Sequence, residues 1–170
     1  KEESFEAYPN RDALPFMRDY QFDPEWTVKE FVRGTLRQDG WSEAWKEIFA
    51  EIETLEGDAG DRRLQEMSDE LWQNHAYEQG EVDRVVLCVE LEARQGENPV
   101  WHRRYTMNAL GNDDGSAMAR LVSLTVSLAV DAIATGKIGP GVSAAPSDPV
   151  LVRSWLDTLI QLGENIELIE

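Results

Sequence analysis

The sequence predicts an α+β fold, a mainly antiparallel sheet with helices packed on one face. Three observations predict it. Two alternating runs, VDRVVLCVELEAR at 82–94 and VWHRRYTMNAL at 100–110, flank the turn-forming RQGENP, the pattern of a long antiparallel hairpin. WSEAWKEIFAEIETLE places Trp41, Trp45, Ile48, Ile52 and Leu55 at helical spacing. An apolar run at 117–134 and a Pro-led segment after 147 supply the helices that such a hairpin needs as a cover.

Each element has its own signal. FEAY (5–8) reads as a short strand ended by Pro-Asn. EFVRGTLR (30–37) reads as a second strand, with Gly34 marking a bulge or a close backbone approach. In it, residues 33, 35 and 37 share one face. Residues 61–74 form a helix through Leu64, Met67 and Leu71, and Gly57, Gly60 and Gly80 punctuate this acidic middle section. In the hairpin, Val85, Leu87, Val89, Leu91 and Ala93 share a face, as do Trp101, Arg103, Tyr105 and Met107. Asp113 or Asp114 caps a helix over about 115–135, which Gly136 ends. Its face of Met118, Leu121, Val122, Thr125, Leu128, Ala129 and Ile133 is suited to packing on a sheet. Asp148 as cap and Pro149 at the first helical position start a last helix that stops at Gly163, and IELIE adds a terminal strand.

A chain of 170 residues supports one well-buried core, so residues 1–170 are expected to form one domain. The net charge of −17 argues against nucleic acid and against an anionic membrane surface as partners. Arg120, Ser123, Thr125, Ser127 and Asp131 make the apolar run a buried helix of a soluble protein, not a membrane span. Cys88 is the single cysteine, which excludes an intrachain disulfide and suits a reducing, cytoplasmic setting. Its place between Leu87 and Val89 predicts a small buried hydrophobe. KEESFEAYPN lacks the apolar core of a signal peptide, and the chain enters strand-like sequence without a Met, as a piece of a longer protein would. No G-x-G-x-x-G, P-loop or G-x-S-x-G is present, and GPGV (139–142) reads as a turn. His75 and His102 stand far apart, so no metal site is expected, and His102 is expected on the hairpin surface or in a local hydrogen bond. Carboxylates are scattered, and none stands out as a catalytic acid or base.

Two ordered motifs carry a resemblance. The first is Tyr8, Pro9, Asn10, Arg11, Asp12, Ala13, Leu14, Pro15; the second is Arg33, Gly34, Thr35, Leu36, Arg37, Gln38, Asp39, Gly40, Trp41. Met118-Ala119-Arg120, Gly136-Lys137-Ile138 and Gly141-Val142 follow in order before the Pro-led helix. Together they resemble the saccharopine dehydrogenase family. Ala13 stands where the family usually has Ser, Gln38-Asp39 replaces an aromatic-Pro pair, and the acidic stretch 56–80 has no familiar counterpart.

The resemblance implies an oxidoreductase of lysine metabolism that acts on the C–N bond of saccharopine or a related amino acid with NAD or NADP. It implies a Rossmann domain that binds the cofactor, followed by an α+β substrate domain like the C-terminal domain of glyceraldehyde-3-phosphate dehydrogenase. This chain resembles the second part alone, so the fragment by itself is not expected to be active, and its partners would be its own Rossmann domain, a carboxylate-rich amino acid and a second copy in a homodimer. It implies substrate contacts from Arg11, Thr35, Leu36 and Arg37. The chemistry agrees: a guanidinium fork binds a carboxylate through two parallel hydrogen bonds. Arg33 either joins that site or supports it, and Trp41 is expected to anchor the first helix. Two alternatives stay open: an acidic binding or dimerisation module, and the substrate domain of a lysine 6-dehydrogenase or polyamine-pathway synthase.

Overall fold

The computed structural model describes residues 3–10 and 12–169. Strands and helices follow in the order β1 (Phe5–Pro9), α1 (Leu14–Asp19), β2 (Gly34–Gln38), α2 (Trp41–Ile52), α3 (Gly57–His75), β3 (Arg84–Gln95), β4 (Asn98–Leu110), α4 (Ala117–Ala134), α5 (Pro149–Gln161) and β5 (Ile166–Ile169). The class is α+β with antiparallel sheets, as expected. The strands divide between two sheets, β1-β2 and β3-β4-β5. They belong to two compact units, one of residues 1–10 with 33–81, the other of 11–32 with 82–170.

In the first unit, Phe5–Pro9 pairs with Gly34–Gln38, placing Glu6 opposite Arg37 and Tyr8 opposite Thr35. The second strand starts at Gly34, not at Glu30, so Arg33 lies just before it. The Arg33 carbonyl accepts from the Asn10 amide at 2.8 Å, which closes the end of the ribbon. Gly34 is a close approach: a Cβ there would stand 3.1 Å from the Tyr8 carbonyl oxygen. Gly57, at φ of 59°, marks the start of α3, whereas Gly60 does not break the acidic middle section, because α3 runs through it. Gly60 is buried, and a Cβ there would meet Leu55 at 3.0 Å, so contact and not turn geometry explains that glycine. Arg63 clasps α3 to α2 by donating from Nε and Nη2 to the two oxygens of Glu51, and reaches Glu70 at 3.2 Å. These partners push its guanidinium pKa up, and Arg63 holds the Glu51 carboxyl below its ordinary value.

The second unit is built on the hairpin. Val85 faces Ala109, Leu87 faces Met107, Val89 faces Tyr105 and Leu91 faces Arg103, so the apolar face of β3 continues across β4. β5 adds Ile166 beside Met107 and Leu168 beside Tyr105. Asp83 places α4 on that same side. Its carboxylate accepts from the Ala117 and Met118 amides at 2.7 and 2.9 Å, which lowers its pKa, while Ser116 caps the helix by accepting from Ala119. Asp113 and Asp114, the caps expected from local sequence, sit instead in a turn in which the Asn112 side chain accepts from the Asp114 amide. An acid 34 residues away won the capping site, which no local pattern could reveal. Gly136 ends α4 with φ of 72°, as expected.

α4 corrects the expected inward face. Leu121, Leu124, Leu128 and Ala132 are the half-buried or buried stripe, whereas Met118, Val122, Thr125 and Ile133 face solvent. The helix is apolar on more than one side, so its periodicity alone could not say which side turns inward. It is therefore not buried as a whole. By length and composition α4 is long and apolar enough to cross a bilayer. Its Arg120 is 16% exposed and ion-paired at 2.7 Å to Glu164, whose side chain is 2% exposed. Arg120 also donates to the Leu110 carbonyl and to Asn112, tying α4 to the ends of β4 and α5. Asp148 caps α5 through the Val150 and Leu151 amides, with Pro149 as the first helical residue. Missed from sequence is α1 with its aromatic cluster, in which Phe31 meets Tyr20 and Phe22 at 6.2 and 5.2 Å.

Cys88 is exposed, not a buried hydrophobe. It points to the polar face of the hairpin, where β3 lies at the sheet edge. His102 makes the expected local bond: its Nε2 lies 2.8 Å from Glu90, which also accepts from Arg104 across the strands, and the hydrogen bonds of Arg104 and His102 lower the Glu90 pKa.

Two outcomes follow. Arg120→Ala leaves Glu164 buried without its cation, so its urea midpoint falls further than that of Arg153→Ala, a substitution of an exposed arginine on α5. Asp148→Ala removes the two-amide cap of α5 and destabilises the chain by about 0.5–2 kcal/mol, read from the same unfolding curves.

Candidate functional site

The four residues implied as substrate contacts fall unevenly. Arg11 lies outside the described residues. Thr35, Leu36 and Arg37 are consecutive in β2, so alternation puts Thr35 and Arg37 on one face and Leu36 on the other. Cross-strand partners complete the first face with Glu6 and Tyr8. Leu36 is half-buried and can meet a ligand on the Thr35–Arg37 face only through its backbone.

Glu6 organises this face, and the sequence reading did not single it out. Its carboxylate accepts from the Gly40 amide at 2.7 Å and the Ser42 amide at 3.0 Å, the first turn of α2, and from the Tyr8 hydroxyl. The Tyr8 hydrogen bond, with those two amides, pulls the Glu6 pKa from 4.5 down to about 2. The same bond raises the Tyr8 phenol above its ordinary value, because ionisation would remove the donated proton. Gly40, at φ of 85°, supplies the left-handed turn between β2 and α2. A carboxylate followed by a Gly-aromatic helix start was the available signal, but the two are 34 residues apart.

Aromatic rings extend the face. Trp41 lies 5.0 Å from Tyr8 and stacks on Trp45 at 5.3 Å, and Phe49 packs edge-on against Trp41. Trp41 thus anchors α2, as expected. The Arg37 guanidinium sits over the same ring at 5.5 Å and donates from Nη1 to the Leu36 carbonyl at 3.0 Å. Among the described residues no carboxylate comes within ion-pair distance of Arg37. Glu6, its cross-strand neighbour, is already engaged by two amides and a phenol. The arrangement is a cation over an aromatic ring, with hydrogen-bonding edges left over, beside a hydroxyl. It is suited to an anionic oxygen pair.

A second concavity of about 390 Å³ lies between α2 and α3, lined among others by Trp45, Ile48, Met67, Leu71, Trp72 and His75. Its walls are mostly apolar, and it carries no converging set of polar groups. Among the described residues no three His, Cys, Asp or Glu side chains come together as a metal site. The helix starts of α2, α4 and α5 are occupied by Glu6, Asp83 and Asp148.

A family model described as the saccharopine dehydrogenase C-terminal domain matches residues 1–164. No curated protein matches the chain. No solved structure matches it.

The depressed Glu6 pKa has a pH signature with a definite sign. A lowered folded-state value contributes stability that is fully present above about 4.5 and is lost as pH falls toward about 2. Tryptophan fluorescence, reporting Trp41 and Trp45, is expected to show loosening of α2 across that window. Glu6→Gln loosens the same signal at neutral pH and flattens its acid dependence.

Proposed function

The chain belongs to the saccharopine dehydrogenase C-terminal domain family, and from that premise we propose that its β1–β2 face binds a carboxylate of an amino-acid substrate. The family sets an oxidoreductase context and makes the chain a substrate-binding domain of a saccharopine dehydrogenase-like protein. The finer reading is that it serves cleavage or formation of the C–N bond of saccharopine or a close relative in lysine metabolism. Arg37 takes the carboxylate with a guanidinium edge, Thr35 adds its hydroxyl from the same face, Leu36 contributes backbone, and Arg11 supplies a second cation from the first motif.

One observation carries the reading. In a chain with 33 acidic residues, the Arg37 guanidinium is stacked on Trp41 and is paired with no carboxylate among the described residues. Stacking limits its rotamers, so less side-chain entropy is lost when an anion arrives. Gly34 serves the close approach of the Tyr8 backbone. The redox cofactor, NAD or NADP, would be held by a Rossmann domain, in keeping with a sequence that carries no G-x-G-x-x-G.

Calorimetric titration of the intact protein with saccharopine, glutamate and lysine tests the reading. Saccharopine is expected to bind more tightly than lysine. Arg37→Ala weakens saccharopine about 10- to 100-fold, the size of a lost charge-assisted pair, and Arg37→Lys recovers part of it. Unchanged saccharopine binding by Arg37→Ala would remove Arg37 from the site. Tighter binding of lysine or a polyamine than of saccharopine would favour a relative with a cationic substrate.

A further inference from the structure

α3 lies in the acidic stretch 56–80, which neither family motif reaches. Its residues Leu64, Met67, Leu71 and Trp72 form one wall of the open concavity of about 390 Å³, and Trp45 and Ile48 of α2 form the other. Trp72 is 75% exposed and Leu64 40%. A solvent-exposed tryptophan along an apolar groove suits a helix-receiving surface. It does not suit a small-molecule site, because no polar groups converge there. From Leu64 to His75 the lining spans roughly 17 Å, about three helical turns.

Charge selects the occupant. Residues 41–81 hold twelve Asp and Glu against Lys46, Arg62 and Arg63, so this stretch carries −9 of the net −17. Two of the three cations are already committed, Arg63 to Glu51, Glu66 and Glu70, and Lys46 to Glu43 at 3.6 Å. Asp61 stands one turn before Leu64 and Asp69 one turn before Trp72 on α3, and Glu53 follows Ile52 at the end of α2. Glu53 and Asp61 have no ion-pair partner among the described residues. A helix with an apolar face for the groove and Lys or Arg on its flanks meets uncompensated acids on both walls. A second copy of this chain does not supply one: among the described residues, none of the five helices carries a net positive charge.

We propose that the α2–α3 groove receives an amphipathic, positively charged helix of a partner protein. Its apolar anchors, at i, i+3 or i+4 and i+7, seat along Leu64 to His75, and its cations face Glu53, Asp61 and Asp69. Trp72 is the main contact on this side. The assignment uses neither Arg37 nor Thr35, so it stands apart from the carboxylate reading of β2.

The test uses the intact chain and an N-acetylated, C-amidated model helix of about 18 Leu and Lys residues, with Leu on one face only. A scrambled peptide of the same composition and a version with Glu for Lys are its counterparts. Calorimetric titration is expected to show the Leu/Lys helix binding about tenfold or more tighter than either, with affinity falling as salt rises from about 0.05 to 0.5 M. Trp72→Ala and Asp61→Lys each weaken it about tenfold. Both residues are exposed, so the fold is retained, which circular dichroism checks. Val142→Ala, on an exposed loop, leaves binding unchanged. Failure of the Leu/Lys helix to bind overturns the proposal, as a groove covered in the intact protein would give. Equal binding of either counterpart overturns it too, since amphipathic shape or charge then plays no part. So does binding unaltered by Trp72→Ala or by Asp61→Lys, which would put the helix on another surface.

Discussion

The Glu6 carboxylate is the interaction on which the candidate site depends. It joins β1 to the first turn of α2 and to Tyr8, and so fixes three things at once: the ribbon, the turn at Gly40 and the aromatic stack beneath Arg37. Two amides at a helix start favour the ionised acid, and the phenol adds a third donor. Three donors hold this carboxylate toward the helix start and the phenol, and no ion pair forms between it and the arginine across the strand.

The same device recurs in the other unit. Asp83 holds the start of α4, Asp148 holds α5, and Glu164 is buried against Arg120. An acidic chain thus spends part of its negative charge internally, where helix dipoles and one buried cation absorb it. These contacts occupy the N-termini of α4 and α5, as Glu6 occupies that of α2.

Exposure is unevenly distributed. The ribbon and its aromatic stack are satisfied locally, whereas the hairpin and α4 leave apolar side chains in solvent. Val126 and Val130 of α4 are 56 and 60% exposed, as open as the residues along β3. Strand edges differ from helix faces here, because an edge also carries unpaired backbone groups whose geometry admits essentially one kind of partner.

Period and punctuation were enough to read most elements from the sequence. Alternation over 82–110 is a hairpin in any context, Trp41 to Ile52 is a helix, and Asp148-Pro149 starts one, because these signals act over a few residues. The family was legible as well, through Tyr8–Pro15 and Arg33–Trp41, though those motifs name residues without placing them. Tertiary structure decided what depends on distant pairs. It chose Asp83 over Asp113 and Asp114 as the acid at α4 and turned Leu124 inward and Val122 outward on an all-round apolar helix. It left Cys88 in solvent by placing β3 at an edge, and it engaged Glu6 so that Arg37 stands without an acid. Each of these is a competition between groups tens of residues apart, settled by which reaches the same amide or the same side of a helix first, and sequence spacing carries no record of that contest.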